Sequence, residues 1–359
     1  MKEVLRELDQ WSRDGEEIAL ATLVSVRGSA PRLPGARLAL TRSGRMAGSV
    51  SGGCVENDVY ERAMQVLDSG RPALASYGIA DELGFAVGLS CGGSIDVLIE
   101  PFAPGAAWDA VRRAVEEGRP AVLAIGLSPA PLLSRKLALL DHASCGAIDA
   151  GVDPQLSAEA RRLLLQGETE VLTLPWRDEV ASVFVEAYPP PLRLFIVGAT
   201  NTAIPLSRMA AGLGFRVTVV DARSMFAEKE RFPDADQVLR AWPDDVLSET
   251  ALDAYSHVVV LTHDPKFDIP TLARALRSQA RYIGAMGSRA THEQRKAELG
   301  RLGFSDRDLA RIRAPIGLDL GGRTPEEIAL AIMAEILAVR YGRDGRALAE
   351  KHASLHAGR

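Results

Sequence analysis

Cys54 and Cys91 each stand beside a pair of glycines, in Gly48-Ser49-Val50-Ser51-Gly52-Gly53-Cys54-Val55-Glu56 and in Ser90-Cys91-Gly92-Gly93-Ser94. Glycine leaves the backbone bare, so the chain can approach a ligand closely and turn its N–H groups onto an anion. Two such loops point to one site where both meet around an anionic ligand that carries sulfur or a metal. Gly48, Ser49, Ser51, Gly52, Gly53, Gly92 and Gly93 are its candidate binding residues. The competing reading is two glycine turns with buried cysteines, since a free cysteine is often a small buried hydrophobe. On these residues alone both readings stay open. Asn57 starts a helical pattern of Val59, Ala63, Val66 and Leu67. The first loop therefore runs into a helix N-terminus, which favours negative charge. The turn-rich stretch from Arg27 to Gly35 adds Arg32, which could clamp a phosphate or carboxylate; a solvated surface loop is the alternative.

The elements that must position these loops follow from periodicity. Residues 2–13 predict a helix, 18–26 and 37–41 two strands, 57–69 a helix closed by Gly70, and 73–77 and 95–100 two more strands. From about residue 107 the same plan returns without the chemistry: strands 121–127 and 136–140, a glycine loop at Cys145-Gly146, a helix 156–166 closed by Gly167, and strands 170–174 and 182–188. This predicts an α/β region over 1–188 with an internal duplication, 16–104 against 107–188. The prolines at 189–191 form a stiff spacer.

After the spacer, strands alternate with helices, which predicts a Rossmann-like doubly wound parallel sheet over 192–341. Strand 192–197, the loop from Gly198 to Ala203, a helix, strand 217–220 and Asp221 have the layout of a dinucleotide fingerprint. Thr200 and Ala203 stand where its second and third glycines belong, so a Rossmann fold with little dinucleotide affinity is the alternative. Ligands of such sheets lie beyond the strand carboxyl ends. Candidates there are Gly198 and Asp221, then His263 and Asp264, then Gly287, Ser288 and Arg289, and finally Asp319. For His263 a structural role is as open as a catalytic one. In Thr324-Pro325-Glu326-Glu327 the helix-start reading wins outright. The tail over 342–359 is basic, small and expected to be mobile.

A net charge of −5 and only 5% aromatic residues argue against nucleic acid as a partner. The three widely spaced cysteines suggest neither a disulfide framework nor a zinc knuckle. With a charged, amphipathic first segment and no apolar run of about 20 residues, a cytoplasmic protein without a membrane span is expected.

Several motifs in order carry a family resemblance. Gly28-Ser-Ala-Pro-Arg32, Pro34-Gly35, Gly48–Glu56 and Cys91–Gly93 carry it in the first half. Asp221–Arg223, Arg231–Asp236, Thr262–Phe267, Gly284–Arg289 and Pro315–Pro325 carry it in the second. The chain resembles the XdhC/CoxI family, the accessory proteins of xanthine dehydrogenase and related molybdenum hydroxylases, over nearly its full length. It departs at Gly198–Ala203, where relatives often carry more glycine.

The resemblance implies a protein that binds the molybdenum cofactor (molybdopterin), shields it, supports its sulfuration and hands it to the apo-enzyme. It makes Cys54 and Cys91 candidate thiolates toward the metal or its sulfur, and gives Glu56 an orienting or proton-handling role. A molybdenum hydroxylase apo-enzyme and a cysteine desulfurase are the implied partners, and a homodimer is the expected state. The alternatives are an NAD(P)-dependent oxidoreductase using the Rossmann module, with Asp221 on the ribose, and an assembly factor that binds no small molecule.

Overall fold

The computed structural model describes residues 3–78, 92–141, 143–223, 225–347 and 349. Cys91 and residues 350–359 lie outside them, and so do the expectations placed on that cysteine and on most of the tail. The chain forms two compact units, 1–189 and 190–358.

The first unit runs α1 (Leu5–Arg13), β1 (Ile18–Arg27), β2 (Arg37–Thr41), β3 (Met46–Gly48), α2 (Glu56–Ser69), β4 (Ala73–Tyr77) and β5 (Ser94–Pro101). It then repeats the order with α3 (Ala106–Glu116), β6 (Ala121–Ser128), β7 (Lys136–Leu140), β8 (Ser144–Gly146), α4 (Asp153–Gln166), β9 (Glu170–Trp176) and β10 (Glu179–Tyr188). Each half is an antiparallel sheet of five strands, ordered β3-β2-β1-β5-β4 and β8-β7-β6-β10-β9.

Strand periodicity decides which core each residue joins. In β1, Ile18, Leu20 and Val24 face a core shared with α1, α3 and β6, while Ala19, Ala21 and Leu23 face α2. In the second half, Leu123 and Ile125 join the shared core, and Val122 and Ala124 face α4. Helix α2 buries Val59, Ala63 and Val66 and stops at left-handed Gly70; α4 buries Leu156, Ala160 and Leu163 and stops at left-handed Gly167.

The two halves exchange charges across the shared core. Arg37 on β2 pairs with Glu186 on β10, and Lys136 on β7 pairs with Glu100 on β5 at 2.6 Å. The positions are equivalent: Glu100 lies opposite Leu20, and Glu186 lies opposite Leu123. The duplication is thus recorded in buried chemistry as well as in strand order.

The second unit is a six-stranded, wholly parallel sheet. Its strands are β11 (Arg193–Val197), β12 (Arg216–Val220), β13 (Gln237–Leu239), β14 (Ser256–Val260), β15 (Tyr282–Ala285) and β16 (Ile312–Arg313), ordered β13-β12-β11-β14-β15-β16. This is the Rossmann order, as the alternation predicts. Its helices are α5 (Ala203–Gly212), α6 (Pro243–Glu249), α7 (Pro265–Leu276), α8 (Arg289–Arg301), α9 (Asp306–Leu309) and α10 (Pro325–Arg340). Thr324 and Glu327 close the expected capping box on α10. The sheet-edge strands β13 and β16 escape periodicity because three and two residues carry no pattern. Among the described residues, no helix is long and apolar enough to cross a membrane.

Candidate functional site

Three glycine-bearing segments converge at one end of the first sheet's strands. A Cβ on Gly93 would lie 2.1 Å from the Ser29 carbonyl oxygen, and one on Gly28 would lie 3.3 Å from the Gly93 Cα. Gly93 therefore admits no side chain, and the end of the Cys91 segment is pressed onto the start of the Arg27–Gly35 loop. That loop passes on to Pro31, whose Cγ lies 3.6 Å from where a Gly52 Cβ would be. The Gly28–Pro31 segment thus bridges Gly92-Gly93 and the tip of the Cys54 loop. At that tip Gly52, Gly53 and Cys54 are exposed, and both glycines hold left-handed φ of +78° and +113°. Arg32 stands on the same loop, half-buried and paired with Glu3.

The anion held by the Cys54 loop is the chain's own. The Glu56 carboxylate, at the first residue of α2, accepts hydrogen bonds from Ser49 Oγ (2.6 Å), the Ser51 N–H (3.0 Å), the Ser51 hydroxyl, the Gly53 N–H (2.9 Å) and the Val55 N–H (3.2 Å). The remaining amides turn inward as well. Gly52 N–H donates to Ser49 Oγ at 2.8 Å, and Cys54 N–H donates to Ser51 Oγ at 3.0 Å. Glu56 and Asp58 also supply negative charge to the first turn of α2. The tip thus exposes Cys54 on bare glycine backbone.

The second half shows which part of this device belongs to the fold. There Asp153, the first residue of α4, accepts from the Ile148 and Asp149 N–H groups at 3.1 and 3.2 Å. The first half adds two serines, two left-handed glycines and the cysteine.

Burial pushes the Glu56 carboxyl up, but the serine hydroxyls and backbone N–H groups overcome it and hold it down at about 2. Near neutrality it carries no proton, so the geometry gives it an orienting task. A depressed folded value means that its contribution is present above the ordinary glutamate value of 4.5 and is lost as pH falls through about 2. The amides of Ser51, Gly53 and Val55 are expected to keep their hydrogen-exchange protection, relative to the chemical rate, down to mildly acidic pH and to lose it toward that value. Glu56→Gln should reduce protection at neutral and mildly acidic pH, with the difference from wild type closing toward about 2. Unchanged protection in that variant would separate Glu56 from the loop's order.

In the second unit the candidates follow the carboxyl ends of successive strands. Gly198 follows β11 at φ +100°, and a Cβ there would lie 2.6 Å from Thr262 Cγ2, so the loops after β11 and β14 touch. Asp221, buried at the end of β12, accepts from the Ala199 N–H at 2.8 Å and from the Arg223 N–H, Nε and Nη2 at 2.9, 2.9 and 2.7 Å. Burial pushes its carboxyl up, and Arg223 with the backbone amides brings it below the ordinary range. Both its oxygens are therefore engaged where a dinucleotide fingerprint would present them to a ribose.

His263 is exposed, and Asp264 caps α7 through the Lys266 N–H. Ser288 caps α8 through the Thr291 N–H, and Arg289 beside it is exposed. Gly287 holds φ +144° with Arg295 Nη1 3.1 Å from a Cβ position. Asp319 is exposed in the loop before α10.

Apolar periodicity does not report what joins these loops. Asp268 on α7 accepts from the Thr262 hydroxyl and from Arg295 Nε (3.0 Å) on α8, and Arg295 Nη1 donates to the Met286 carbonyl at 2.7 Å. Arg295 and Asp268 are only 3% and 1% exposed. This buried pair ties the loops after β14 and β15 to the helices that follow them. A charge at a helical position that faces inward is the available signal; Arg37 gives the same signal in an apolar strand.

Comparison with known proteins places this geometry. A sequence model described as the XdhC Rossmann domain matches residues 194–336, and one described as the XdhC and CoxI family matches residues 11–78. A relative in Bacillus subtilis (strain 168), named as a probable subunit of xanthine dehydrogenase, is 31% identical across 93% of this chain and 96% of its own. The chain belongs to the XdhC/CoxI family. The XdhC and CoxI match contains the whole Cys54 loop, and the XdhC Rossmann match contains the strand-end loops from Gly198 to Asp319. The molybdenum cofactor insertion chaperone PaoD of Escherichia coli (strain K12) is 26% identical over 95% of this chain and 89% of its own. A Bacillus halodurans crystal structure described as a xanthine dehydrogenase has 26% identity and a TM-score of 0.59, with 97% of both chains covered.

Proposed function

We propose that this XdhC/CoxI protein is an accessory factor that binds the molybdenum cofactor, protects it, supports its sulfuration and inserts it into a xanthine dehydrogenase-type hydroxylase. The observation that carries this reading is the Cys54 tip: an exposed cysteine on a loop whose shape Glu56 fixes. Likeness to an insertion chaperone over nearly both full chains supports it.

The residues fit the group in part. Molybdopterin brings its own dithiolene ligands, so the protein needs to add at most one soft donor. Among the described residues no cluster of three or more His, Cys, Asp or Glu could hold a metal by itself, and a single thiolate matches that need. The Ser51, Gly53 and Val55 amides are taken by Glu56 and do not suit the phosphate. In the first unit Arg32, already paired with Glu3, is the cation on the neighbouring loop; in the second unit, taken by itself, Arg289 is exposed at the start of α8. When bound, the cofactor supplies the metal and its exchangeable terminal ligand. Glu56, Ser49 and Ser51 hold the Cys54 loop in shape, Cys54 or Cys91 would contact the metal or its sulfur, and Gly92-Gly93 would let the backbone approach. His263, Asp264, Gly287, Ser288 and Asp319 line the second set of loops. Sulfur is taken from a cysteine desulfurase, the working unit is a homodimer, and the domains are 1–188 and 192–341 about the proline spacer.

Loaded protein mixed with apo-hydroxylase should transfer molybdenum and restore turnover, more slowly for Cys54→Ala or Cys91→Ala. Equal transfer by the double variant would remove the cysteines from this role. The nicotinamide reading has the Rossmann sheet in its favour and the engaged Asp221 against it. Saturable NADH binding that Asp221→Ala weakens would reinstate it.

A further inference from the structure

A cleft of about 400 Å³ opens between α1 and α3 of the first unit. Its size is that of a small-molecule site, and none of its lining residues belongs to the proposed cofactor site. Asp9, Ser12 and Arg13 of α1 line it, and Trp108, Asp109 and Arg112 of α3 face them, with Phe102 beside. Spacings of three and four residues put each set on one face of its helix. The other faces, Leu8 and Trp11 on α1 and Val111 and Ala114 on α3, enter the shared core.

Each helix offers the cleft one acid and one base, Asp9 with Arg13 and Asp109 with Arg112. One cross pair is made: Arg112 Nη1 donates to both Asp9 carboxylate oxygens, at 3.2 and 3.1 Å. The other is not. Arg13 and Asp109 make no ion pair among the described residues. Arg13 donates only from Nε, to the Asp9 carbonyl at 3.1 Å, and Arg112 Nε is buried without a hydrogen-bond partner. The next acid along α1, Asp14, is taken by Arg45 at 3.3 Å. Beside these charges the wall is aromatic: Phe102 stands edge-on to Trp108, with ring centroids 5.5 Å apart. An acid and a base that share a cleft without meeting leave a gap for a molecule bearing both charges. A lone anion there would meet Asp109, and a lone cation would meet Arg13, so each is disfavoured by a like charge. A zwitterion suits both groups, and the aromatic wall selects an apolar side chain on it.

We infer that the cleft between α1 and α3 binds a free α-amino acid with an apolar side chain, its carboxylate on Arg13, its ammonium on Asp109 and its side chain against Phe102. The site lies outside both the Cys54 loop and the strand-end loops of the parallel sheet, so it stands independently of the cofactor reading. Both helices pack on the shared core, and a ligand held between them stabilises the first unit by mass action.

The full-length protein is dialysed to equilibrium against L-leucine and L-phenylalanine, and against phenylpropionate and phenethylamine, which keep the ring and one charge each. An amino acid should bind saturably and raise the thermal unfolding midpoint. Each single-charge analogue should bind about tenfold more weakly than phenylalanine, the scale of one charge-assisted hydrogen bond. Arg13→Gln and Asp109→Asn should each weaken amino-acid binding by about the same factor. Neither variant breaks an ion pair of the fold, so both should unfold at the wild-type midpoint without ligand. Phenylpropionate or phenethylamine binding as tightly as phenylalanine would turn the cleft into a site for a single charge and overturn the inference. No binding of either amino acid at millimolar concentration would overturn it as well, and so would undiminished binding by the Arg13→Gln, Asp109→Asn double variant. Molybdenum retention by these variants should match the wild type, which keeps a failure here distinct from a failure at Cys54.

Discussion

Arg37→Ala should cost the first unit about 3–5 kcal/mol, the penalty for removing one member of a buried ion pair. The Arg37 side chain is fully buried, and its Nη1 donates to Glu186 at 2.9 Å and to the Gly35 carbonyl at 3.0 Å. Burial alone would discharge both groups. Their attraction reverses it, raising Arg37 above its ordinary value and lowering Glu186 below its own. Without the guanidinium, Glu186 loses the largest influence that opposes its burial, and its carboxyl is pushed up. Arg37→Met with Glu186→Leu should recover most of the loss, because an apolar pair of similar volume carries no desolvation cost. The pseudo-equivalent Lys136→Ala should cost less, since 24% of that side chain already meets solvent. The measurement is urea unfolding followed by tryptophan fluorescence. Trp108, whose ring lies 5.4 Å from the Arg37 guanidinium, reports on the pair directly. A loss below about 1 kcal/mol would mean that water screens the pair.

Arg295→Ala should destabilise the second unit by a similar amount, about 3–5 kcal/mol, and should carry a pH signature. Asp268 is already pushed above its ordinary value by burial, with the Thr262 hydroxyl and Arg295 opposing. Removing Arg295 removes one of the opposing interactions, so the folded value rises further. A raised folded value in an acid means that stability is lost as pH climbs above the unfolded value. The variant should therefore be weaker at about pH 8 than at about pH 5, and Asp268→Asn in the same chain should abolish that difference. Since Arg295 also holds the Met286 carbonyl, the loops carrying His263 and Arg289 should lose hydrogen-exchange protection first. A pH-independent loss would show that water reaches Asp268 once Arg295 is gone.

Much of this architecture is legible in the sequence. Val59, Ala63 and Val66 give α2 its face, and Gly70 and Gly167 mark where both long helices of the first unit end. The alternation after Pro191 gives the parallel sheet. Periodicity speaks for apolar residues, so it is silent on Arg37, Glu186, Asp268 and Arg295, whose partners come from distant segments. It also cannot say whom a glycine loop serves. Gly52 and Gly53 do free backbone N–H groups, as their type requires, but Glu56 lies three to four residues on and reaches the Gly53 amide first. A carboxylate so close behind a glycine loop is the clue that these amides serve the chain itself. Gly93 is visible as a small residue, while the reason for it, the Ser29 carbonyl 2.1 Å from any Cβ, exists only in three dimensions.

The central claim is that the thiol at the tip of the Glu56-pinned loop contacts a molybdenum-bearing pterin. Anaerobic purification of the full chain, with metal analysis, pterin mass and absorbance of whatever accompanies it, tests this most directly. Molybdenum and pterin should be found in equal amounts in the wild-type protein and be largely lost from Cys54→Ala, with the fold of the first unit intact by tryptophan fluorescence. Full retention of both by a folded Cys54→Ala, Cys91→Ala double variant would contradict it.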